Sequence, residues 1–238
     1  MMVLDKDIKI FADGADINSI KSLVKNPIIN GFTTNPTLMR SAGVIDYAEF
    51  ASEVIKLVSP MPVSFEVFAD EFDEMLVQSK KIASWGSNVF VKIPVTNSRG
   101  DLSTDLIKKL NSENIKLNIT AIFTVEQARL VIDSISSEVP SVISVFAGRI
   151  ADTGIDPMPI MHEIKQLMKN RSYLELLWAS PREILNIVQA KQCGCDIITV
   201  PPAILSKLGS LGKDHNEFSL ETVKMFYDDA VKSGYRIG

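Results

Sequence analysis

The stretch "NVFVKIPVTNSRG" (88–100) combines a strand pattern with a lysine that does not suit an ordinary strand. Its β-branched residues recur at every second position, at Val89, Val91, Ile93 and Val95. Lys92 lies on the opposite face with Phe90, outside any row of solvated charges. A lysine on a buried strand face must lose its charge, pair with a carboxylate or react through its amine. This strand alone leaves two structural roles open for Lys92. It could protect a sheet edge against aggregation, or its aliphatic stem could cross apolar surface to bring the amine into water.

Length and composition limit the classes of protein that this chain can represent. Its 238 residues suit one large domain or two small ones, and barrels often occupy this range as a single domain. The hydrophobic fraction of 46% is enough to fill a sizeable core. A net charge of −4 gives no basic surface for nucleic acid or an anionic membrane, so neither partner is expected.

Targeting signals and cysteine use indicate a cytoplasmic location. The apolar stretches are of strand length and are interrupted by charges, so no bilayer span is expected. The start, "MMVLDKDIKIFAD", has no apolar region of the kind found in secretory signals. Only Gly194 separates Cys193 from Cys195, which suits neither an ordinary disulfide nor a zinc site. We therefore predict two reduced thiols in a cytoplasmic protein.

Short β-branched runs alternate with stretches of helix length along the whole chain. The predicted strands are 8–13, 31–36, 62–68, 89–95, 116–123, 141–148, 173–180 and 196–202. The predicted helices are 16–25, 44–58, 70–84, 101–112, 124–137, 157–170, 181–192 and a last one within 216–234. Strands that alternate with helices form parallel sheets through right-handed crossovers.

Eight such units in this length favour a (β/α)8 TIM barrel occupying residues 1–238 as one domain. The rival is an open doubly wound sheet of the Rossmann or flavodoxin type. No G-x-G-x-x-G sequence follows the first predicted strand, which removes the main reason to prefer that rival.

Polar residues lie on one face of several strands, near the carboxyl ends. Parallel strands that are covered by helices usually read as continuous apolar runs, so a repeated polar face indicates a polar barrel interior. Barrel enzymes keep their active sites at the C-terminal mouth. We expect these side chains to converge there: Asp13, Asn35, Glu66, Lys92, Asn118, Thr120, Ser144 and Ser180. A satisfied structural network is the alternative, but one that includes an amine and two carboxylates is typical of an active site.

An amine inside a barrel and close to carboxylates can attack a carbonyl and form a Schiff base. The resulting iminium acts as an electron sink for breaking or making a neighbouring carbon–carbon bond. This reaction also needs acid/base groups, and Asp13 and Glu66 are available. It requires no metal or other cofactor, and no convincing metal cluster is visible in the sequence.

Four motifs resemble the transaldolase family in the same order along nearly the whole chain. They are "GFTTNPTL" (31–38), "VFVKIPVT" (89–96), "LNITAIFTVEQA" (117–128) and "FAGRI" (146–150). T-T-N-P followed at this spacing by K-I-P is more specific than either motif alone. Chain length and the compact C-terminal region resemble the small-subunit branch, which also contains fructose-6-phosphate aldolases.

The resemblance implies a role for each matching residue. Lys92 matches the Schiff-base lysine on the fourth strand, and Asp13 matches the acid/base aspartate. Glu66 and Thr120 match the pair that handles a catalytic water. The positions that match the substrate-binding residues are Thr34, Asn35, Asn118, Ser144, Phe146, Arg149, Ser180 and Arg182. Within that set, Asn35, Asn118 and Ser144 match residues that hold the dihydroxyacetone unit, and Arg149, Ser180 and Arg182 match the phosphate-binding group.

Two positions separate the activities within the family. Transaldolases carry glutamate and phenylalanine where fructose-6-phosphate aldolases carry glutamine and tyrosine, and this chain has Glu66 and Phe146. Two departures flank the predicted phosphate end: Gly14 follows Asp13 where a hydroxyl residue is usual, and Pro181 replaces an aromatic residue.

The resemblance favours a transaldolase that acts on sugar phosphates. An aldolase that releases dihydroxyacetone and an inactive sugar-phosphate-binding barrel are the alternatives. Small-subunit members of the family use their C-terminal helix to pack against a neighbouring subunit. The resemblance therefore predicts that the amphipathic helix 216–234 forms such a contact in a homo-oligomer of five or ten subunits. The alternative is a helix that closes its own barrel.

Overall fold

The computed structural model describes residues 8–136 and 138–238. Residues 1–7 and position 137 lie outside the described residues. The expectation that no secretory signal is present rests partly on residues 1–7, and one helix was predicted to end at 137. Within the described ranges the strands are β1 (Lys9–Asp13), β2 (Ile29–Thr33), β3 (Val63–Glu66), β4 (Val89–Pro94), β5 (Leu117–Ile122), β6 (Ser141–Val145), β7 (Leu174–Trp178) and β8 (Ile197–Val200). They pair in sequential order, all parallel, and β8 closes on β1. The predicted (β/α)8 barrel is confirmed.

The helices surround this barrel. They are α1 (Ile17–Leu23), α2 (Pro36–Ser41), α3 (Tyr47–Val58), α4 (Phe72–Ala83), α5 (Thr104–Ser112), α6 (Val125–Ser134), α7 (Ala147–Ala151), α8 (Met158–Leu167), α9 (Leu185–Gln192), α10 (Pro202–Leu205) and α11 (His215–Ser233). The main core lies between the outward faces of the strands and the apolar faces of helices α1 to α10, as in other barrels of this class.

Three strand predictions ran on into a following helix. The eighth strand was predicted to reach 202, but β8 ends at Val200 and Pro202 begins α10. The second strand was predicted at 31–36, but β2 ends at Thr33 and Asn35 begins α2 as its N-cap, with its side chain accepting a hydrogen bond from Leu38 N. Pro36 occupies the first helical turn, where its missing N–H costs nothing. The sixth strand was predicted to reach 148, but β6 ends at Val145 and the short helix α7 follows.

An apolar plug fills the barrel interior below the polar residues. It consists of the inward-facing cluster Phe11, Phe90, Val142, Leu177 and Ile197. On each of these strands the plug residue precedes a residue of the pocket described below by two positions, so the plug lies one layer nearer the amino ends of the strands. Gly31 makes room for it, since a Cβ there would lie 2.6 Å from the Phe11 ring.

The C-terminal helix α11 has no buried residue. Asp214 caps its first turn, and Gly234 ends it in the left-handed conformation with φ of 65°. Large apolar side chains are exposed along and just beyond it: Phe218, Leu220, Val223, Met225, Phe226, Tyr227, Val231, Tyr235 and Ile237. The helix therefore does not pack its apolar side chains against its own barrel. None of the helices in the described part of the chain is long and apolar enough to cross a membrane.

Candidate active site

A polar pocket opens at the C-terminal mouth of the barrel, with a volume of about 80 Å³. It is lined by Asp13, Thr33, Asn35, Lys92, Asn118, Thr120, Ser144, Phe146, Arg149, Leu177, Ala179, Ser180 and Thr199. The strand faces and strand ends that the sequence analysis selected thus meet in one place. Among the predicted site residues, Glu66, Thr34 and Arg182 lie next to this lining without forming part of it.

Lys92 is buried inside the mouth and paired with Glu66. The two residues are register partners on β4 and β3, and Lys92 Nζ lies 3.1 Å from Glu66 Oε2. The ammonium group also donates to the backbone oxygen of Thr34 at 3.2 Å. Each described strand of the closed barrel has two neighbours, so edge protection does not explain this lysine. Its side chain is only 9% exposed, so its stem does not reach to open water either.

Asp13 ends β1 and points into the same pocket. The Thr33 hydroxyl, from the register partner on β2, donates to Asp13 Oδ1 at 2.7 Å. Burial raises the pKa of the Asp13 carboxyl, and this outweighs the nearby Lys92 charge and the Thr33 hydrogen bond, which both lower it. A carboxyl in such a setting is suited to exchanging a proton with a bound ligand.

A chain of hydrogen bonds orients Asn118 across three strands. Its Nδ2 donates to Ser64 Oγ at 2.9 Å, while its Oδ1 accepts from Ser144 Oγ at 2.6 Å. All three side chains are buried. Because both ends of the amide have partners, its orientation in the pocket is fixed.

Thr120 differs from these residues because its hydroxyl has no partner. Its Oγ1 is buried and forms no hydrogen bond with the described residues. An unpaired buried hydroxyl costs free energy unless a ligand satisfies it. The next residue, Ala121, has φ of 59°, which is unusual for a residue with a side chain and bends the strand end beside the pocket.

The T-T-N-P segment supports the pocket in two ways. Asn35 lines it while its side-chain oxygen caps α2. Thr34 is fully buried and its hydroxyl donates to the Ser64 backbone oxygen at 3.0 Å, so this hydroxyl is not directed at a ligand. The contribution of Thr34 that the structure shows is its carbonyl, which accepts from Lys92.

The residues of the predicted phosphate end come from α7 and the loop after β7. The Arg149 guanidinium carbon lies 4.9 Å from the centroid of the Phe146 ring, so the charged end of that side chain lies over the ring. Ser180 has φ of 62°. Gly148 allows the two segments to meet, because a Cβ there would overlap the Ser180 carbonyl group.

Arg182 is bound to a residue that the sequence analysis did not select. Its Nε donates to Asp152 Oδ1 at 2.9 Å and its Nη1 donates to Ser180 Oγ at 3.1 Å. The hydrogen bonds from Arg182 hold the pKa of the Asp152 carboxyl below its usual value. The guanidinium is therefore directed toward the Ser180 side of the mouth by a carboxylate behind it.

No group of three or more His, Cys, Asp or Glu side chains suited to a metal ion occurs among residues 8–136 and 138–238. Cys193 and Cys195 are both free and buried, and burial raises the pKa of the Cys193 thiol to about 11. These thiols are therefore poorly suited to act as nucleophiles.

Comparison with protein families identifies the group to which this architecture belongs. The model of the family described as transaldolase/fructose-6-phosphate aldolase matches residues 10–236. The chain belongs to the transaldolase/fructose-6-phosphate aldolase family. This match spans all eight strands and α11.

Relatives in this family carry the name "probable transaldolase". That of Thermoplasma volcanium is 38% identical over 206 residues, which cover 84% of this chain and 87% of the relative. That of Dehalococcoides mccartyi is 35% identical over 202 residues, covering 84% and 90%. That of Brucella anthropi is 34% identical over 231 residues, covering 97% of this chain and all of the relative.

Two solved structures with low sequence identity to this chain share its fold. Dihydrodipicolinate synthase from Rhodopseudomonas palustris superposes with a TM-score of 0.55 at 16% identity, covering 84% of this chain and 71% of that one. A 2,3-dimethylmalate lyase superposes with a TM-score of 0.56 at 14% identity, covering 98% and 86%. At such identities the similarity supports the barrel architecture alone.

Proposed function

We propose that this protein is a transaldolase, which transfers a dihydroxyacetone unit from a ketose phosphate, such as fructose 6-phosphate or sedoheptulose 7-phosphate, to an aldose phosphate. The observation that carries the proposal is the buried Lys92 amine, 3.1 Å from the Glu66 carboxylate in a pocket that also contains Asp13. Family membership, with relatives named probable transaldolases, supports the same activity.

In this mechanism the Lys92 amine attacks the ketose carbonyl. Glu66 is close enough to take a proton from the amine, and the carbinolamine then loses water to give an imine. The unpaired Thr120 hydroxyl is available to bind the departing water, which later returns to hydrolyse the product imine. Glu66 and Thr120 would thus serve the proton transfers that form and hydrolyse the imine at the former carbonyl carbon.

Carbon–carbon cleavage requires a base on the far side of the imine. Asp13 accepts the proton of the hydroxyl at the bond that breaks, so the first aldehyde leaves and the electron pair enters the Lys92 enamine. Addition of the second aldehyde reverses these transfers, and Asp13 returns its proton. A raised pKa suits this double role, because the carboxyl must both gain and release a proton.

Substrate recognition is divided between two sets of side chains. Asn35, Asn118 and Ser144 line the pocket next to Lys92 and offer partners for the hydroxyls of the three-carbon unit. The second set lies where α7 and the loop after β7 meet at the mouth, and its charged and hydroxyl groups suit a phosphate: Arg149, Ser180 and Arg182. Arg182 would then contact phosphate while keeping Asp152 behind it.

The choice of transfer over release of dihydroxyacetone rests on Glu66 and Phe146. Phe146 offers no hydroxyl beside the enamine, where a tyrosine would add a proton donor near the carbanion. Product analysis with and without an acceptor aldehyde separates a transaldolase from a fructose-6-phosphate aldolase, since only the latter yields free dihydroxyacetone as its main product.

Borohydride trapping tests the lysine chemistry. Incubation with fructose 6-phosphate and borohydride should attach a reduced sugar fragment to Lys92, identified by peptide mapping. Lys92→Met should abolish both trapping and turnover while the barrel stays folded by circular dichroism. Lys9→Met is the matched control, since it removes another lysine paired with a glutamate, Glu175, at the other end of a barrel strand. Trapping in folded Lys92→Met would refute the mechanism and favour a different nucleophile, and no trapping in the unmodified protein would favour a binding barrel.

The proposal extends to a cytoplasmic homo-oligomer of five or ten subunits. Its support is the exposed apolar surface of α11, which leaves large side chains such as Phe226 and Tyr227 without partners in their own barrel. Apolar surface of this kind is typical of obligate interfaces. The two reduced, buried cysteines agree with the predicted cytoplasmic location.

A further inference from the structure

Two threonine hydroxyls lie behind Asp13, and the proposed mechanism gives neither a role. Thr33 on β2 and Thr199 on β8 flank β1, and both are buried. Thr33 Oγ1 donates to Asp13 Oδ1 at 2.7 Å, and Thr33 Oγ1 and Thr199 Oγ1 are also in hydrogen-bond contact. The three side chains thus form a chain of hydrogen bonds that runs from Thr199 on β8 to Thr33 on β2 and ends at Asp13 on β1.

Counting protons fixes the direction of this chain. Each hydroxyl has one hydrogen to donate. While Asp13 is ionised, Thr33 gives its hydrogen to the carboxylate, so the contact between the threonines must use the hydrogen of Thr199. When Asp13 takes up a proton, its other carboxyl oxygen still accepts, so Thr33 can go on donating to Asp13 and Thr199 to Thr33. The same direction of the chain serves both forms of Asp13, and the charged form gains more from it.

We propose that Thr199 is a positioning residue that acts through Thr33 and keeps Asp13 hydrogen-bonded in both its ionised and its protonated form. This role rests on the proposed function, in which Asp13 takes up and returns one proton in each half of the reaction. A hydroxyl that itself accepts a hydrogen bond is a stronger donor, so Thr199 strengthens the bond from Thr33 to Asp13.

Other charged groups around Asp13 are the same in every variant used below. Lys92 reaches it from β4, with Glu66 from β3 behind that lysine, and Arg149 lines the same pocket from α7. Asp16 lies three residues along the chain at the start of α1, where it accepts from Ser19 N. A change in proton affinity that follows the two threonines can therefore be assigned to their hydroxyls.

The two threonines should shift the titration of Asp13 in the same direction but by different amounts. In Thr33→Val the carboxylate loses its donor, so the midpoint should rise, by a shift on the order of one pH unit. In Thr199→Val the carboxylate keeps the Thr33 donor, but Thr199 no longer strengthens that donor, so the midpoint should rise by less.

The measurement is a titration of ¹³C-carboxyl-labelled aspartate in the full-length protein without substrate, with Asp13 assigned from the signal lost in Asp13→Asn. Thr199→Ser should keep the normal midpoint, and Thr199→Ala should reproduce the small rise seen in Thr199→Val. This Ser/Ala pair differs by the hydroxyl alone and serves if valine prevents folding. Ser141→Ala, which removes a buried strand hydroxyl bonded to Val139 O, should leave the midpoint unchanged.

Equal midpoints in Thr199→Ser and Thr199→Ala, or a lower midpoint in Thr199→Ala, would overturn the proposal. Borohydride trapping of the same proteins reports on Lys92 separately. Loss of trapping with both shifts intact would refute the proposed function but leave the hydrogen-bond chain correct. Normal trapping with unchanged midpoints would refute only the role of Thr199. In an active enzyme the limb of the pH–rate profile that belongs to Asp13 should move with the measured midpoints.

Discussion

Replacing Gly148 by alanine should separate phosphate recognition from the chemistry at Lys92. The new Cβ would lie 2.6 Å from the Ser180 carbonyl carbon and closer still to its oxygen, whereas ordinary contacts begin at 3.4 Å. The oxygen sets the displacement, so the Ser180 peptide must move by more than about 1 Å relative to α7. Neither atom is at the end of a flexible side chain, so the movement is carried by the backbone that holds Arg149 on one side and Ser180 and Arg182 on the other.

A displacement of about 1 Å in a positioning group can cost on the order of 10²-fold in rate. We expect Gly148→Ala to lower kcat/KM for fructose 6-phosphate by about that factor. Trapping of Lys92 with unphosphorylated dihydroxyacetone should change little, since the Lys92–Glu66 pair lies on β3 and β4.

The assay compares steady-state kinetics with fructose 6-phosphate and borohydride trapping with dihydroxyacetone in the same preparation. Gly209→Ala is the matched control, because a Cβ at that glycine meets no atom within 4 Å. Thermal unfolding of both variants checks that the barrel remains folded. Equal losses in both assays, or full activity toward fructose 6-phosphate in folded Gly148→Ala, would refute the assignment of these segments to phosphate binding.

Three further predictions concern catalysis and assembly. Asp13→Ala should slow carbon–carbon cleavage by about 10²–10⁴-fold while imine trapping survives better; equal losses in quench-flow and trapping experiments would mean that Asp13 only positions Lys92. Phe146→Tyr should raise the release of dihydroxyacetone without an acceptor, and an unchanged ratio of release to transfer would count against the transaldolase assignment. Deletion of 216–238 should lower the mass measured by light scattering, whereas a full-length protein with the mass of one chain at micromolar concentration would exclude the oligomer.

The barrel and most of the lining of its mouth could be predicted because two simple rules act together. Side chains alternate across a strand, and parallel strands bring their carboxyl ends to one side. Lys92, Asn118 and Ser144 each occupy the polar face near such an end, so their convergence follows once the barrel is accepted.

The errors arose where a loop residue resembles a strand residue. In "TTNP" the two threonines favour a strand, but Asn35 followed by Pro36 is also a helix start, and that signal was available in the sequence. Thr33 and Thr199 were not selected because a β-branched residue in a strand needs no functional explanation.

The pairing of Arg182 with Asp152 had no local signal at all. The two residues are 30 positions apart on different loops. Their contact depends on how α7 and the loop after β7 approach each other at Gly148, which only the three-dimensional structure reveals.

The apolar plug below Lys92 leaves the pocket open only at the C-terminal mouth of the barrel. Phe11, Phe90 and Ile197 close the route toward the amino ends of the strands, so a ligand enters and departs through the mouth. In the proposed transfer reaction both aldehydes would use this mouth and the same phosphate-binding residues. The first aldehyde must then leave before the second can bind. The three-carbon fragment would stay bound to Lys92 between these two steps. Double-reciprocal plots of the initial rate against one substrate, at several concentrations of the other, should then give parallel lines.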